Sequence, residues 1–468
     1  MISTPSARFR DATAKLNSLM SNDTLRNAGM AVMVRILAAL LGLGLQIYLA
    51  GSMALGEYGI YVVLWTWISI LCQVGVMGFS DSSLRFIPKY MKRKRSDLMN
   101  EFLRTGYKTV LVGSLFISIM ATITLNWVSW LVDPAYFWAL TAIVVGMPFL
   151  AIEGYLIGVT RSLSWYLQST VPAFIIRPAL IIASVFWAQR HGIDVDAYFV
   201  LSVAVGITAI IITIQTLYLK HKFKPDPSAQ PNASRQKFWL ISSLSLMPAM
   251  IADDVFAWVD ILLLGLLATP EQASVYFAAQ RSLSLAAFVQ YAFMLVIARN
   301  FSLSLASANH AELQQWISKS TRWTFWLTIP SVLLTLVVGY PLLGLFGPDF
   351  LEAYPAMIIL GLGYIVRAST GQSTELLIIL GKHRINFLIS SICILFCFLA
   401  MMVIIPAYGV TGAAMAMVVV FALRAITYAL VIYFETGYWV FVFKPALLEE
   451  DKAVDGPDPI PQNNQTVV

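Results

Sequence analysis

The chain has 468 residues, of which 59% are hydrophobic and 12% charged, about half the charged share of an ordinary soluble domain. That composition excludes a water-soluble globule, and no polar stretch is long enough to fold into a sizeable soluble catalytic domain. The net charge of +6 says little as a sum, because in a membrane protein the placement of Lys and Arg carries the information.

The opening residues are polar, and the first apolar run is too long for a signal-peptide core, so it reads as a retained span. Apolar runs of spanning length recur at about 27–50, 56–79, 106–129, 136–159, 167–188, 197–219, 239–267, 274–297, 320–346, 353–380, 385–405 and 411–434. At about 20 residues per crossing they predict twelve transmembrane helices, an all-α integral membrane protein. The connections Gly51–Gly56, Ala268–Gln272 and Ala407–Val410 are short. Between the sixth and seventh runs, KPDPSAQPNAS has the Pro, Ser and Asn density of a linker. The expected organisation is a cytoplasmic segment (1–26), a six-helix lobe (27–219), a cytoplasmic linker (220–238), a second six-helix lobe (239–436) and a cytoplasmic tail (437–468). The tail is acidic, then rich in Pro and Asn, and cannot bury enough surface to order itself.

With an even number of spans both termini share one side, and that side carries 26 of the Lys and Arg residues, whereas the opposite loops carry Arg190 alone. The positive-inside rule places the termini in the cytoplasm. A weak repeat supports the two lobes: Gly56-Glu-Tyr-Gly-Ile-Tyr61 enters the second helix as Glu271-Gln-Ala-Ser-Val-Tyr276 enters the eighth, each leading from a short turn to a tyrosine near the interface.

Ionisable groups inside spans are costly and mark functional candidates. Arg177, Arg367 and Arg424 fall near the middles of helices five, ten and twelve, and Arg281 falls in helix eight. Four permanently charged, bidentate guanidinium groups suit a cavity that accepts an anion such as a pyrophosphate, and these are the candidate substrate-binding residues. Asp253 and Asp260, seven apart and so on one face of helix seven, are candidates for cation coupling or for pairing an arginine. Asp254 points elsewhere as a structural partner. Glu153 and Glu375 lie nearer the helix ends, where snorkelling is cheap, as weaker coupling or charge-pairing candidates. Structural pairing of these acids with the arginines is the competing reading.

The remaining signals are mostly bland. His191, His221, His310 and His383 have no ligand-like spacing, and Cys72, Cys393 and Cys397 lie inside apolar runs, so neither a metal site nor a disulfide is expected. The basic run Lys89–Arg95 adjoins a helix end and is read as meeting anionic membrane lipids, not nucleic acid. Asn232-Ala-Ser matches a glycosylation pattern that cytoplasmic placement empties of meaning.

Several segments resemble the polysaccharide-biosynthesis flippases, the O-antigen (Wzx-type) exporters, within the superfamily that includes lipid II flippases and MATE drug exporters. The segments are Val259-Asp-Ile-Leu-Leu-Leu-Gly265, Val275-Tyr-Phe-Ala-Ala-Gln-Arg281, Leu345-Phe-Gly-Pro-Asp-Phe350, Leu380-Gly-Lys-His-Arg384, Ile405-Pro-Ala-Tyr-Gly-Val-Thr-Gly-Ala-Ala414 and Leu55-Gly-Glu-Tyr-Gly-Ile-Tyr61, in collinear order. Where such proteins often carry a proline late in helix eight, this chain reads Val296-Ile-Ala-Arg-Asn300. The resemblance implies a V-shaped, alternating-access pair of six-helix bundles in the bacterial inner membrane. Such a transporter, not an enzyme, moves a polyprenyl-pyrophosphate-linked oligosaccharide outward without a cofactor, by coupling to H+ or Na+, and hands it to glycan polymerase machinery. A MATE-like exporter of small cations is the alternative, against which the central arginines count. An integral-membrane glycan-modifying enzyme would need a catalytic His or acidic cluster at the membrane surface.

Overall fold

The computed structural model describes residues 23–127, 130, 134–223, 232–286, 297, 301, 304 and 310–443. The regular elements are all helical. The first eight are α1 (Asp23–Ser52), α2 (Leu55–Val76), α3 (Phe79–Lys92), α4 (Ser96–Trp127), α5 (Pro134–Ser162), α6 (Tyr166–Val171), α7 (Arg177–Arg190) and α8 (Ala197–Lys222). They are followed by α9 (Ala233–Leu267), α10 (Pro270–Leu283), α11 (His310–Phe346), α12 (Tyr354–Ala368), α13 (Ser373–Ile379) and α14 (His383–Thr436). A π-helical turn, Pro172–Ile176, joins α6 to α7.

Among the described residues nine helical stretches are long and apolar enough to cross a membrane. One of them, α14, is 54 residues long and comprises two arms, because Gly409 leaves helical geometry at φ 53°, ψ −129°. A tenth long helix, α9, has 35 residues but three carboxylates. With α10 as the visible start of the eighth span, each of the twelve expected spans has a counterpart in a multi-pass, all-helical membrane protein. The rest of the eighth span, most of Val296–Asn300, linker residues 224–231 and the tail from 444 lie outside the described residues.

Helix starts follow local chemistry. The Asp196 carboxylate accepts from Phe199 N at 2.7 Å to cap α8. Asn232, the residue of the glycosylation-like pattern, caps α9 by accepting from Ser234 N and Arg235 N at 3.0 and 3.2 Å. Its own N–H and the Arg235 guanidinium both bond Glu101 on α4, at 2.9 and 3.0 Å.

Packing divides the chain into two units, Met1–Ser52 with Leu71–Ser245, and Met53–Ile70 with Leu246–Val468. These differ from the expected lobes in two places, each with a packing reason. The expected linker 220–238 already contains the first turns of α9, and residues to Ser245 belong to the first unit. There Trp239 is fully buried and donates to Tyr90 OH at 2.8 Å, and Ser243 donates to Ser82 Oγ at 2.7 Å. The first half of α2 belongs to the second unit because small residues let it approach α9 and α10. A Cβ at Gly265 would lie 2.6 Å from the Val63 side chain, and one at Gly56 2.7 Å from Glu271.

The two halves of the sequence repeat therefore pack on each other: Tyr58 meets Phe277 edge-on, and Gly59 sits against Pro270. Tyr61 and Tyr276 are both buried. A methyl at Gly59 would coincide with the Pro270 carbonyl, so Gly59→Ala should destabilise by about 1–3 kcal/mol through forced backbone displacement. A wild-type melting temperature for purified Gly59→Ala would contradict this packing.

Two expected spans are interrupted. The second, expected at 56–79, stops at Val76, and Met77 and Gly78 take positive φ of 52° and 73° before the unforeseen helix α3. The tenth, expected at 353–380, is broken at Ser369–Gln372 around Gly371 (φ 57°), where a Cβ would meet Thr321 Oγ1 at 2.7 Å. A non-helical segment, residues 437–443, crosses this break. Val442 N donates to Ser369 O at 2.9 Å, and Trp439 exchanges two hydrogen bonds with the Gln314 side chain at 2.9 and 3.0 Å.

Candidate functional site

In the first unit the short α6, the π-helical turn and Pro178 set the start of α7, which places Arg177 at the junction. π-helical turns of this kind are frequent at functional sites. Arg177 Nη1 forms a direct ion pair with Glu153 Oε2 of α5, and both side chains are almost entirely buried. The snorkelling expected of Glu153 is thus not seen: it lies nine residues before the end of α5, inside the packed core, 5% exposed. Its second oxygen, Oε1, is buried without a hydrogen-bond partner.

In the second unit Asp253 of α9 anchors a network between the two arms of α14. Its Oδ1 accepts from Ser390 Oγ at 2.8 Å and Arg424 Nη2 at 3.1 Å, and its Oδ2 accepts from Asn386 Nδ2 at 2.7 Å. Arg424 also donates to Tyr428 OH at 3.0 Å and stacks 3.9 Å from the Phe256 ring centroid. Tyr428 OH donates to Asn386 Oδ1 at 2.6 Å and accepts from Thr374 of α13 at 3.1 Å. Such a network neutralises Asp253 with a tethered cation.

Asp260 is in a different situation although it shares a helix face with Asp253. It is 1% exposed and accepts from Tyr276 OH at 2.7 Å, Gln280 Nε2 at 2.9 Å and Ile261 N at 2.9 Å. All three donors are neutral, and Asp260 forms no ion pair with a described arginine.

Arg281 and Arg367 also have no carboxylate in ion-pair reach among the described residues. Arg281, half-buried in the last turn of α10, lies 5.9 Å from the Phe277 ring centroid. The break in the tenth span moves Arg367 from mid-helix to the exposed last turn of α12, 6.0 Å from the Phe421 centroid. A cation there is favoured by the helix dipole. Glu375 correspondingly occupies the first turn of α13, half-buried, and Asp254 is half-buried and engaged. The four arginines thus separate into two braced by carboxylates and two with no carboxylate in reach among the described residues.

Sequence reasoning missed Asn386, Ser390, Tyr428, Tyr276 and Gln280. Their signal was there as polar pairs four apart in apolar helices, 386/390, 424/428 and 276/280, which share a helix face. Among the described residues no three His, Cys, Asp or Glu side chains converge as a metal site. Cys393 and Cys397 are fully buried, with Cys397 Sγ against Met401 and Met417 sulfurs at 3.8 and 3.7 Å.

Comparison with solved structures places this arrangement on a known scaffold. The lipid II flippase MurJ in an inward closed conformation aligns at TM-score 0.67 and 13% identity, covering 86% of this chain and 87% of that one. An inward-facing multidrug resistance MATE family transporter aligns at 0.66 and 11%, covering 86% and 98%. A MOP superfamily transporter from Pyrococcus furiosus aligns at 0.60 and 13%, covering 87% and 94%. At these identities the likeness shows the fold, which is that of MOP superfamily transporters. No curated protein matches the sequence. The family model for polysaccharide biosynthesis proteins matches residues 24–298, more than half of the sequence, and the chain belongs to that family.

Proposed function

We propose that the protein is a flippase, not an enzyme, that carries a polyprenyl-pyrophosphate-linked oligosaccharide from the cytoplasmic to the outer leaflet of a bacterial inner membrane, with both termini in the cytoplasm. Family and fold support a membrane transporter. The observation that carries the substrate class is that Arg281 and Arg367, alone of the four candidate arginines, have no carboxylate partner among the described residues. Two guanidinium groups of one unit with no carboxylate in reach among the described residues call for an anionic ligand, and a pyrophosphate offers each a bidentate face. We assign coupling to a proton or sodium gradient to Asp260, which, unlike Asp253 and Glu153, has no arginine partner among the described residues. No cofactor is required for this cycle.

The test uses purified protein in vesicles with a fluorescent polyprenyl-pyrophosphate disaccharide. Arg281→Ala and Arg367→Ala should each slow translocation on the order of tenfold or more, with the Lys variants intermediate because an ammonium keeps charge but loses the fork. Melting should stay close to wild type, since neither change orphans a described carboxylate. Unchanged translocation in both variants overturns the reading, and so does a wild-type protein that moves an organic cation and not the pyrophosphate lipid.

A further inference from the structure

We propose that α3 and the turn after it form an interfacial docking face for anionic phospholipid headgroups. The inference does not depend on the transported substrate.

Helix α2, at 22 residues, is long enough to cross the hydrocarbon by itself, so α3 begins where that crossing ends. The positive-φ pair Met77 and Gly78 then redirects the chain. Phe79, Phe86, Ile87 and Tyr90 recur at helical spacing and are buried in the first unit's core. The hydrogen bonds from Ser243 to Ser82 and from Trp239 to Tyr90 pin that face from beneath, so the opposite face has a fixed orientation.

At about 100° per residue, Leu84, Pro88 and Met91 fall within about 60° of one another on that outward face. All three are exposed, Leu84 by 38% and Met91 by 51%. Arg85, Lys89 and Lys92 run alongside, also exposed, and Arg93, Lys94 and Arg95 extend the charge. No carboxylate occurs between Asp81 and Asp97, and Asp97 is already bonded to Arg95 at 2.9 Å. A merely solvated basic face has no use for an exposed Leu–Pro–Met stripe. A stripe that dips among acyl chains beside cations that meet phosphates is the chemistry of a helix lying in the membrane interface. The charge complement is an anionic lipid, whose attraction amounts to about 1 kcal/mol, or roughly fivefold, per cation.

The experiment places the full chain in vesicles of phosphatidylcholine with or without phosphatidylglycerol, with a nitroxide at Leu84→Cys or Met91→Cys; the native cysteines are buried. With phosphatidylglycerol the label should collide with oxygen in preference to a water-soluble nickel chelate. Phosphatidylglycerol retained by the purified protein should fall about fivefold for each of Arg85, Lys89 and Lys92 changed to Gln. Should the triple variant fail to insert, wild-type retention should still fall as salt is raised, and Arg85→Lys with Lys89→Arg and Lys92→Arg should retain lipid normally. Labels open to the nickel chelate in both vesicles, salt-independent retention, or displacement of phosphatidylglycerol only by polyprenyl pyrophosphate would overturn the proposal.

Discussion

Arg177→Ala is expected to collapse the yield of folded, inserted protein, and Glu153→Gln in the same chain is expected to restore it. The single change removes the cation that faces Glu153 and leaves a carboxylate stranded in a packed core, with one oxygen already lacking a partner. Breaking a buried pair from one side costs about 3–5 kcal/mol. That is a large part of the roughly 5–15 kcal/mol that holds a domain folded. Neutralising Glu153 removes most of that penalty, because an amide can be buried at far lower cost than a charge. Substitutions at Asp253 or Asp260 should not rescue, since the carboxylate that Arg177 neutralises is Glu153. Thermal melting and membrane yield of the single and double variants check this. Equal stability of wild type and Arg177→Ala, or a double variant no better than the single, would mean the pair is not a brace.

The second large effect is expected at Asp253. Asp253→Ala leaves the Arg424 guanidinium facing only neutral oxygens and strips acceptors from Asn386 and Ser390, at a cost of about 3 kcal/mol or more. Asp253→Asn should cost less, because it keeps an acceptor and the shape. Arg424→Lys should not substitute, since an ammonium cannot both lie on the Phe256 face and reach Asp253, Ser390 and Tyr428. A double-mutant cycle on Asp253 and Arg424 should return a coupling of about 0.5–3 kcal/mol. Additive effects would remove the network as a unit of stability.

The apolar runs were legible because a bilayer imposes a length on every crossing, and the deep charges were legible because they interrupt those runs. Which acid meets which arginine was not, since Glu153 with Arg177 and Asp253 with Arg424 are set by helix packing and by no sequence spacing. The break near Gly371 escaped because Ser369–Gln372 adds too little polarity to divide the run, while the close approach of Thr321 to Gly371 is a tertiary contact. Helix α3 was hidden by its own charges. Read at helical spacing, Phe79, Phe86, Ile87 and Tyr90 give it away, but the apolar runs expected at 56–79 and 106–129 left this basic stretch between spans.

The sharing of α2 between the packing units has a consequence for synthesis. Gly56 and Gly59 emerge from the ribosome long before Glu271 and Pro270, the residues they pack against. At typical elongation rates that interval is roughly 10–40 s. Throughout it, the first half of α2 sits in the nascent protein with a bare glycine seam and no mate. A translocon or insertase that shields small-residue surfaces would have its longest engagement here, and crosslinks from Gly59 to such a factor should vanish once residue 270 has been made.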